Sequence, residues 1–294
     1  MIKEIYQDYL NKFDEMLDLR DLTKNTIKNY TSFLLQYLSW VDTNLSKALE
    51  DISYDEIRLY VLHLKNVRKL KASTINAHIS QLRFFHIYIL RKPFDKYEVP
   101  FMKTTRTLPK IYSKEMIFQF IDSFKNIRHK AYAAILYSSG IRVSELQHLK
   151  YEDVSRKNMM LYIKQTKSRT DRHAILSKKA LDILTQYWFA AGKPKDYLFP
   201  GYYDRNKPVS KFTINRAFND QSKAFGISIT PHLLRHHFGC HLYEAGYDLL
   251  TIQKMLDHKS IYSTTIYVQL ANPNQLNIIS HFYHSSSKGL IIFN

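Results

Sequence analysis

TPHLLRHHFGCHLYEAGYDLLTIQKMLDHKSIYSTTIY, running from Thr230 to Tyr267, is the stretch on which the reading of the chain turns. His232 and Arg235 are three apart, so on a helix they share a face. That helix is well marked. Thr230 is a good N-cap residue, Pro231 suits the first helical position and Gly246 suits the end. Tyr247 or Asp248 opens a second predicted helix, Leu249 to Leu256, and His258 falls on the turn after it. Ser263 opens a short third helix with Tyr267 one turn in. The pattern therefore predicts three elements that carry an arginine, two histidines and a phenol toward one place. Arginine grips phosphate through two parallel hydrogen bonds. Histidine donates to phosphate or moves a proton near neutral pH. An activated tyrosine is a covalent nucleophile. These residue types together point to phosphoryl transfer on a DNA backbone.

The rest of the chain agrees with a polyanionic partner. It has 43 Lys plus Arg against 26 Asp plus Glu, a formal charge of +17 and a pI near 9.6. Such an excess points first to nucleic acid. The 294 residues, 45% of them hydrophobic, are enough for two ordinary domains with real cores. The single cysteine, Cys240, excludes an internal disulfide and a cysteine-rich zinc site. The N-terminus has acids and no apolar run of signal-peptide length, and no stretch approaches a spanning helix. A cytoplasmic, nucleoid-associated protein is the expectation.

Taken in order, residues 1–94 read as helical. An apolar stripe of Ile27, Tyr30, Leu34, Tyr37, Leu38 and Val41 follows Thr23. Ser53 to Glu56 forms a capping box for the next helix. Ser73 opens another, which Pro93 stops. Residues 95–112 carry two prolines and several basic residues without helical period, and read as a linker. Ser113 starts a second domain, 113–294. Helices are predicted at Lys114–Phe124 and Arg128–Ser138, with Gly140 as a C-cap. Met159 to Lys164 and Arg172 to Leu176 have β character around a polar, basic loop, so they read as a hairpin. Ser177 and Ser210 open further helices, closed by Gly192 and Gly226. His237 and His241 are four apart, the spacing of a metal pair. No carboxylate or cysteine completes a ligand set except Cys240, on another face, so no metal is expected.

The ordered set His232-Leu233-Leu234-Arg235, Leu256-Asp257-His258 and Tyr267, nine residues after that histidine, resembles the C-terminal half of the tyrosine recombinases. This group includes the phage integrases and the Xer-type chromosome-dimer resolvases. The run Gly140-Ile141-Arg142-Val143-Ser144-Glu145-Leu146 is similar to the setting of the family's first catalytic arginine. One departure stands out: Asp257 occupies a position where the family usually has glycine. The resemblance implies a mainly α fold with a small β-hairpin or sheet. A helical core-binding domain and an α+β catalytic domain would form a C-shaped clamp on DNA. It implies catalytic roles for Arg142, Lys167, His232, Arg235, His258 and Tyr267, and an orienting role for Glu145. Lys167 matches the family's hairpin lysine best, with Lys164 and Arg169 as rivals. In the first domain the family's second and fourth helices face DNA. That carries contacts over to Thr26, Lys28, Thr74 and Asn76.

The implied reaction is site-specific cleavage and rejoining of double-stranded DNA through a 3′-phosphotyrosyl link, without ATP, metal or other cofactor. Four protomers would act on two duplexes. The apolar tail residues Leu276, Ile278, Ile279, Phe282 and Tyr283 suit docking on a neighbouring subunit, as the resemblance implies, or packing on the chain's own core. The alternatives are a nicking-closing topoisomerase of related chemistry and a DNA-binding regulator with an inactive site. The recognition sequence, any accessory DNA-bending protein, and the choice between integration, excision and dimer resolution are not written in the chain.

Overall fold

The structure, a computed structural model, describes residues 6–45, 47–105, 107–164 and 171–271. It divides into two compact units, Met1–Thr107 and Leu108–Asn294. It is mainly helical with one small antiparallel sheet, as the sequence predicts.

The first unit is built from α1 (Gln7–Leu19), α2 (Lys24–Asn44), α3 (Tyr54–Asn66) and α4 (Ala72–Phe84). The last runs on as a wider π turn, Phe85–Ile89. The α2 stripe buries Leu34, Tyr37, Leu38 and Val41 against Phe13, Tyr60, Ile79 and Phe85. Thr23 caps α2, and Glu56 reaches back to the Ser53 N–H at 2.9 Å to cap α3. Helix α4 starts at Ala72 rather than behind Ser73, because Lys71 already takes the extended backbone of a cap.

The segment read as a linker is not loose throughout. Phe94 and Val99 are buried in the first unit's core. Tyr54 donates to the Pro93 carbonyl and accepts from the Asp95 N–H, at 2.9 and 2.8 Å. Asn76 exchanges two hydrogen bonds with the backbone of Met102, at 2.9 and 2.8 Å. The first unit therefore extends past residue 94. The sequence hid this because two prolines and scattered charge carry no period, while one buried apolar residue, Val99, and the bonds to Asp95 and Met102 are enough to pin the segment.

The second unit opens with α5 (Lys114–Asp122), α6 (Ile127–Ser139) and α7 (Val143–His148). A meander follows: β1 (Val154–Ser155), β2 (Met160–Ile163) and β3 (Arg172–Ile175), in that order. Leu161 pairs with Val154 on one side and Ala174 on the other. The hairpin was legible, but β1 is two residues long and left no alternation to read. Then come α8 (Lys178–Ala190), α9 (Lys211–Phe225), α10 (Pro231–Glu244), α11 (Leu249–Leu256) and α12 (Ile266–Leu270). Helix α6 is the central post. Ala131 to Leu136 are all buried, and it packs on both α8 and α10. An apolar surface all round is what a helix with neighbours on every side requires.

Candidate active site

Two arginines converge on one turn. Thr230 caps α10 and Pro231 takes its first position, so Arg235 points inward from the second turn. Its Nη1 donates to the Gly140 carbonyl at 2.6 Å and its Nη2 to the Leu256 carbonyl. Gly140 ends α6 at φ +63, and a Cβ there would lie 2.3 Å from the Phe238 ring and 2.8 Å from Leu256. Only glycine gives this left-handed backbone and this closeness without strain. Arg235 is 3% exposed. Burial, then the neighbouring Arg142 charge, pull its pKa down to about 10, so it stays cationic at neutral pH.

Arg142 stands just before α7. Glu145, on the first turn of α7, accepts from the Arg142 backbone N–H and from its Nη1, both at 2.8 Å. The same Nη1 reaches the Asp257 carboxylate at 2.9 Å, and Nη2 reaches the Asp257 carbonyl at 2.7 Å. Burial acts against the charge, but the bonds to Asp257 and Glu145 outweigh it and the pKa of Arg142 is raised. Glu145 is itself held on the other side by Arg172 of β3, at 2.9 Å. Arg172 also donates to the Met255 carbonyl at 3.0 Å, which ties the sheet to the end of α11.

The turn after α11 is closed by Asp257 in the left-handed region, φ 54 and ψ 51. Aspartate tolerates this backbone better than most residues. The His258 N–H returns to Gln253 at 3.1 Å, and the Gln253 amide holds the His258 carbonyl at 3.0 Å. His258 Nδ1 pairs with the buried Thr264 hydroxyl at 2.9 Å. Its ring lies nearly parallel to that of Tyr267, centroids 6.3 Å apart and planes 15° apart. Burial, then Arg235 and Arg142, push its pKa down to about 4, so it is neutral at pH 7.

Tyr267 is on the first turn of α12 and fully buried. A 3-10 turn, Ile261–Ser263, precedes α12, which begins at Ile266 rather than behind Ser263. The Tyr267 ring rests on Gly239 of α10, where a Cβ would lie 2.4 Å from Cζ. Its hydroxyl has no hydrogen-bond partner among the described residues. Burial raises its pKa to about 12, against the pull of Arg235. His236 stands one helical turn along from His232, ring centroids 4.6 Å apart, and 6.1 Å from the Tyr267 ring. Its Nδ1 is also buried and unpartnered among the described residues. His232 is open to solvent at the helix start. Desolvation of its ring face, then the Arg235 charge, hold its pKa below the usual imidazole value.

The structure thus gathers Arg142, Glu145, His232, Arg235, His258 and Tyr267 around one point. Lys167, and its rival Arg169, lie outside the described residues. The other rival, Lys164, is committed to Glu152 at 2.7 Å and to Asp153. In the first unit Thr26 and Lys28 sit on the first turns of α2 and Thr74 on that of α4. Asn76 commits both ends of its amide to Met102, so it serves as a tether rather than a free donor to phosphate. His237 and His241 do not form a metal pair. Nδ1 of His237 donates to the Leu233 carbonyl at 2.7 Å and Nε2 accepts from the Tyr112 N–H at 2.9 Å. His241 donates to the Tyr112 carbonyl at 3.0 Å and accepts from Tyr137 at 2.8 Å. Sequence reasoning gave no role to Arg172, His236 or Gly239. The signal for Arg172 was a lone arginine opening a strand; for Gly239 it was a glycine inside a helix, which costs stability unless something needs the space.

The second unit thus holds two clustered arginines beside a buried tyrosine. Residues 112–273 match the phage integrase family, and residues 9–96 match the phage integrase N-terminal SAM-like domain. Tyrosine recombinase XerA of Pyrococcus furiosus is 30% identical over 91% of this chain and 91% of its own length. A crystal structure of XerA recombinase is 26% identical, covering 95% of this chain and 98% of that one, with a TM-score of 0.53. The structure of a lambda integrase dimer bound to a COC′ core site matches in fold. Its TM-score is 0.70 at 21% identity, over 88% of this chain and 94% of that one. The chain belongs to the phage integrase family of tyrosine recombinases, and is a site-specific DNA recombinase. No described helix is long and apolar enough to cross a membrane.

Proposed function

We propose that Tyr267 is the nucleophile, and that it cleaves one DNA strand to leave a 3′-phosphotyrosyl link and a free 5′-hydroxyl. The observation that carries this reading is the shared hold on one turn. Arg235 grips the Leu256 carbonyl, Arg142 grips the Asp257 carbonyl, and the next residue, His258, lies over the Tyr267 ring. In-line attack on a phosphodiester places added charge on the nonbridging oxygens. Arg142, Arg235 and His258 would receive it, and a fixed donor of this kind is worth about 10²–10³ in rate.

The phenol must lose its proton as it attacks phosphorus. With a pKa of about 12 it is a neutral phenol at pH 7 and needs a base. His232, held neutral by its lowered pKa, is the base in this scheme. Lys167 would protonate the departing 5′ oxygen. The P–O bond to tyrosine keeps the energy of the bond it replaces. A 5′-hydroxyl from a partner duplex can therefore attack it and release Tyr267, with no ATP and no metal in the balance. Thr26, Lys28 and Thr74 would touch phosphate, and four protomers would join two sites. The tail residues named for docking lie outside the described residues. The cytoplasm, on the nucleoid, is where such a protein would act.

The test is a covalent trap. The protein is mixed with nicked duplexes from the DNA flanking its gene, denatured in detergent, and scanned for a DNA-shifted band. The parent should give a band whose linked residue maps to Tyr267 by mass spectrometry. Tyr267→Phe should bind the same duplex and give none. An adduct surviving in Tyr267→Phe would end the assignment.

A further inference from the structure

We infer that Asp257 is a positioning residue for Arg142, fixing which edge of the guanidinium is offered to the phosphate. The inference rests on the role given to Arg142 above. A guanidinium carries N–H donors on Nε, Nη1 and Nη2, arranged as a rigid planar fork. Asp257 takes the end of the fork: its carboxylate holds Nη1 at 2.9 Å and its own carbonyl holds Nη2 at 2.7 Å. Glu145 takes the remaining Nη1 proton at 2.8 Å. The Nε–H and the second Nη2–H are left side by side. No hydrogen bond to that edge is found among the described residues, and the Arg142 side chain is 27% exposed. A side-on edge of this kind matches two oxygens of a phosphate.

Both grips of Asp257 depend on its backbone. The left-handed turn at φ 54 points the Leu256 and Asp257 carbonyls at Arg235 and Arg142 in succession. Glycine would hold that turn with less strain but would contribute only the carbonyl. Aspartate adds the carboxylate, so two acids rather than one fix the guanidinium. It also adds a negative charge. Arg142, Arg172 and Arg235 against Glu145 and Asp257 leave the cluster one positive charge rather than two. Asp257 therefore aligns Arg142 while weakening the ground-state pull on DNA. A residue that only stabilised the turn would not give that pairing of effects.

The experiment measures single-turnover cleavage of the nicked duplex, DNA affinity and thermal stability for Asp257→Gly, Asp257→Asn, Arg142→Ala, and Arg142→Lys with and without Asp257→Gly. Asp257→Gly should keep its melting temperature and bind DNA as tightly as the parent or more tightly. It should cleave about 10- to 100-fold more slowly, the usual cost of removing a group that orients a catalytic one. Asparagine also suits the left-handed turn and keeps a neutral acceptor for Nη1, so Asp257→Asn should recover cleavage to within about 5-fold of the parent. In an Arg142→Lys background, which lacks the fork, Asp257→Gly should cost little more. The inference is overturned if Asp257→Gly cleaves at the parental rate or faster, for the carboxylate would then be a brake. It is equally overturned if Asp257→Asn is as slow as Asp257→Gly, or if the loss persists in full without Arg142. Arg142→Ala separates the two levels: parental cleavage in that variant would sink the site assignment itself, whereas its inactivity beside a parental Asp257→Gly would sink only the role of Asp257.

Discussion

Helix α10 carries histidines on two faces, and the faces treat them in opposite ways. On one, His232, Arg235, His236 and Gly239 look toward Tyr267. On the other, His237 and His241 bind the backbone of Tyr112. The second face is fully paired: all four ring nitrogens have partners between 2.7 and 3.0 Å. The first keeps a buried His236 Nδ1 and a buried Tyr267 hydroxyl without partners among the described residues. Leaving such an atom bare costs about 1–3 kcal/mol. Folding alone would favour the paired arrangement on both faces. The unpaired groups lie beside the two arginines, so the cost falls where the proposed chemistry is.

The comparison is broken most directly at Arg235, the one charged residue buried on the active face. Its two hydrogen bonds to Gly140 and Leu256 set the positions of both neighbouring turns. Arg235→Ala should lower single-turnover cleavage by at least about 10²-fold while DNA affinity falls far less, because many other phosphate contacts hold the duplex. His237→Gln, two residues on and on the paired face, should cleave within about 3-fold of the parent at neutral pH, since the amide can replace both its bonds. Equal losses in the two variants would mean that both faces are structural.

Why one face could be read in advance and the other could not follows from the kind of signal each leaves. His232, Arg235, His258 and Tyr267 are polar residues at fixed spacings between clear caps, and Thr230, Pro231 and Gly140 fixed the local backbone. Their convergence was legible. The partners that complete the site were not. Asp257 meets Arg142 across 115 positions, and Arg172 meets Glu145 from a strand of four residues. Contacts of that range leave no period in the sequence. The partners of His237 and His241 were hidden for the same reason. Their spacing of four is that of a metal pair, and only the folded chain reveals Tyr112 bonded to both rings. The buried part of the linker, Val99 packed in the same core as Phe94, was hidden because packing there is non-local.

Gly239 gives a smaller and sharper test of the active face. A methyl group at this position would lie within 2.4 Å of the Tyr267 ring, closer than real contacts allow. Gly239→Ala should push the ring off α10, lowering stability by about 1–3 kcal/mol. The phenol would then regain solvent, and its pKa should fall from about 12 toward the ordinary tyrosine value. Nitration followed by peptide mass spectrometry checks this: Tyr267 should be protected in the parent and modified in Gly239→Ala. A protected Tyr267 in a stable variant would show that the ring does not rest on the glycine.

The paired face should show itself in the pH dependence of stability. His237 is fully buried, and burial pushes its pKa down to about 4 from an ordinary 6.5. Its Nε2 must stay unprotonated to accept from Tyr112. The unfolded chain therefore binds a proton that the folded chain refuses between those two values. The stabilisation is complete above about pH 6.5 and is lost progressively as pH falls toward 4, by at most about 3 kcal/mol for this one residue. Urea melts between pH 7.5 and 4.5 should show a shallower loss in His237→Gln than in the parent, because glutamine does not titrate. A loss in His237→Gln as steep as in the parent would show that this imidazole does not stay unprotonated in the folded chain.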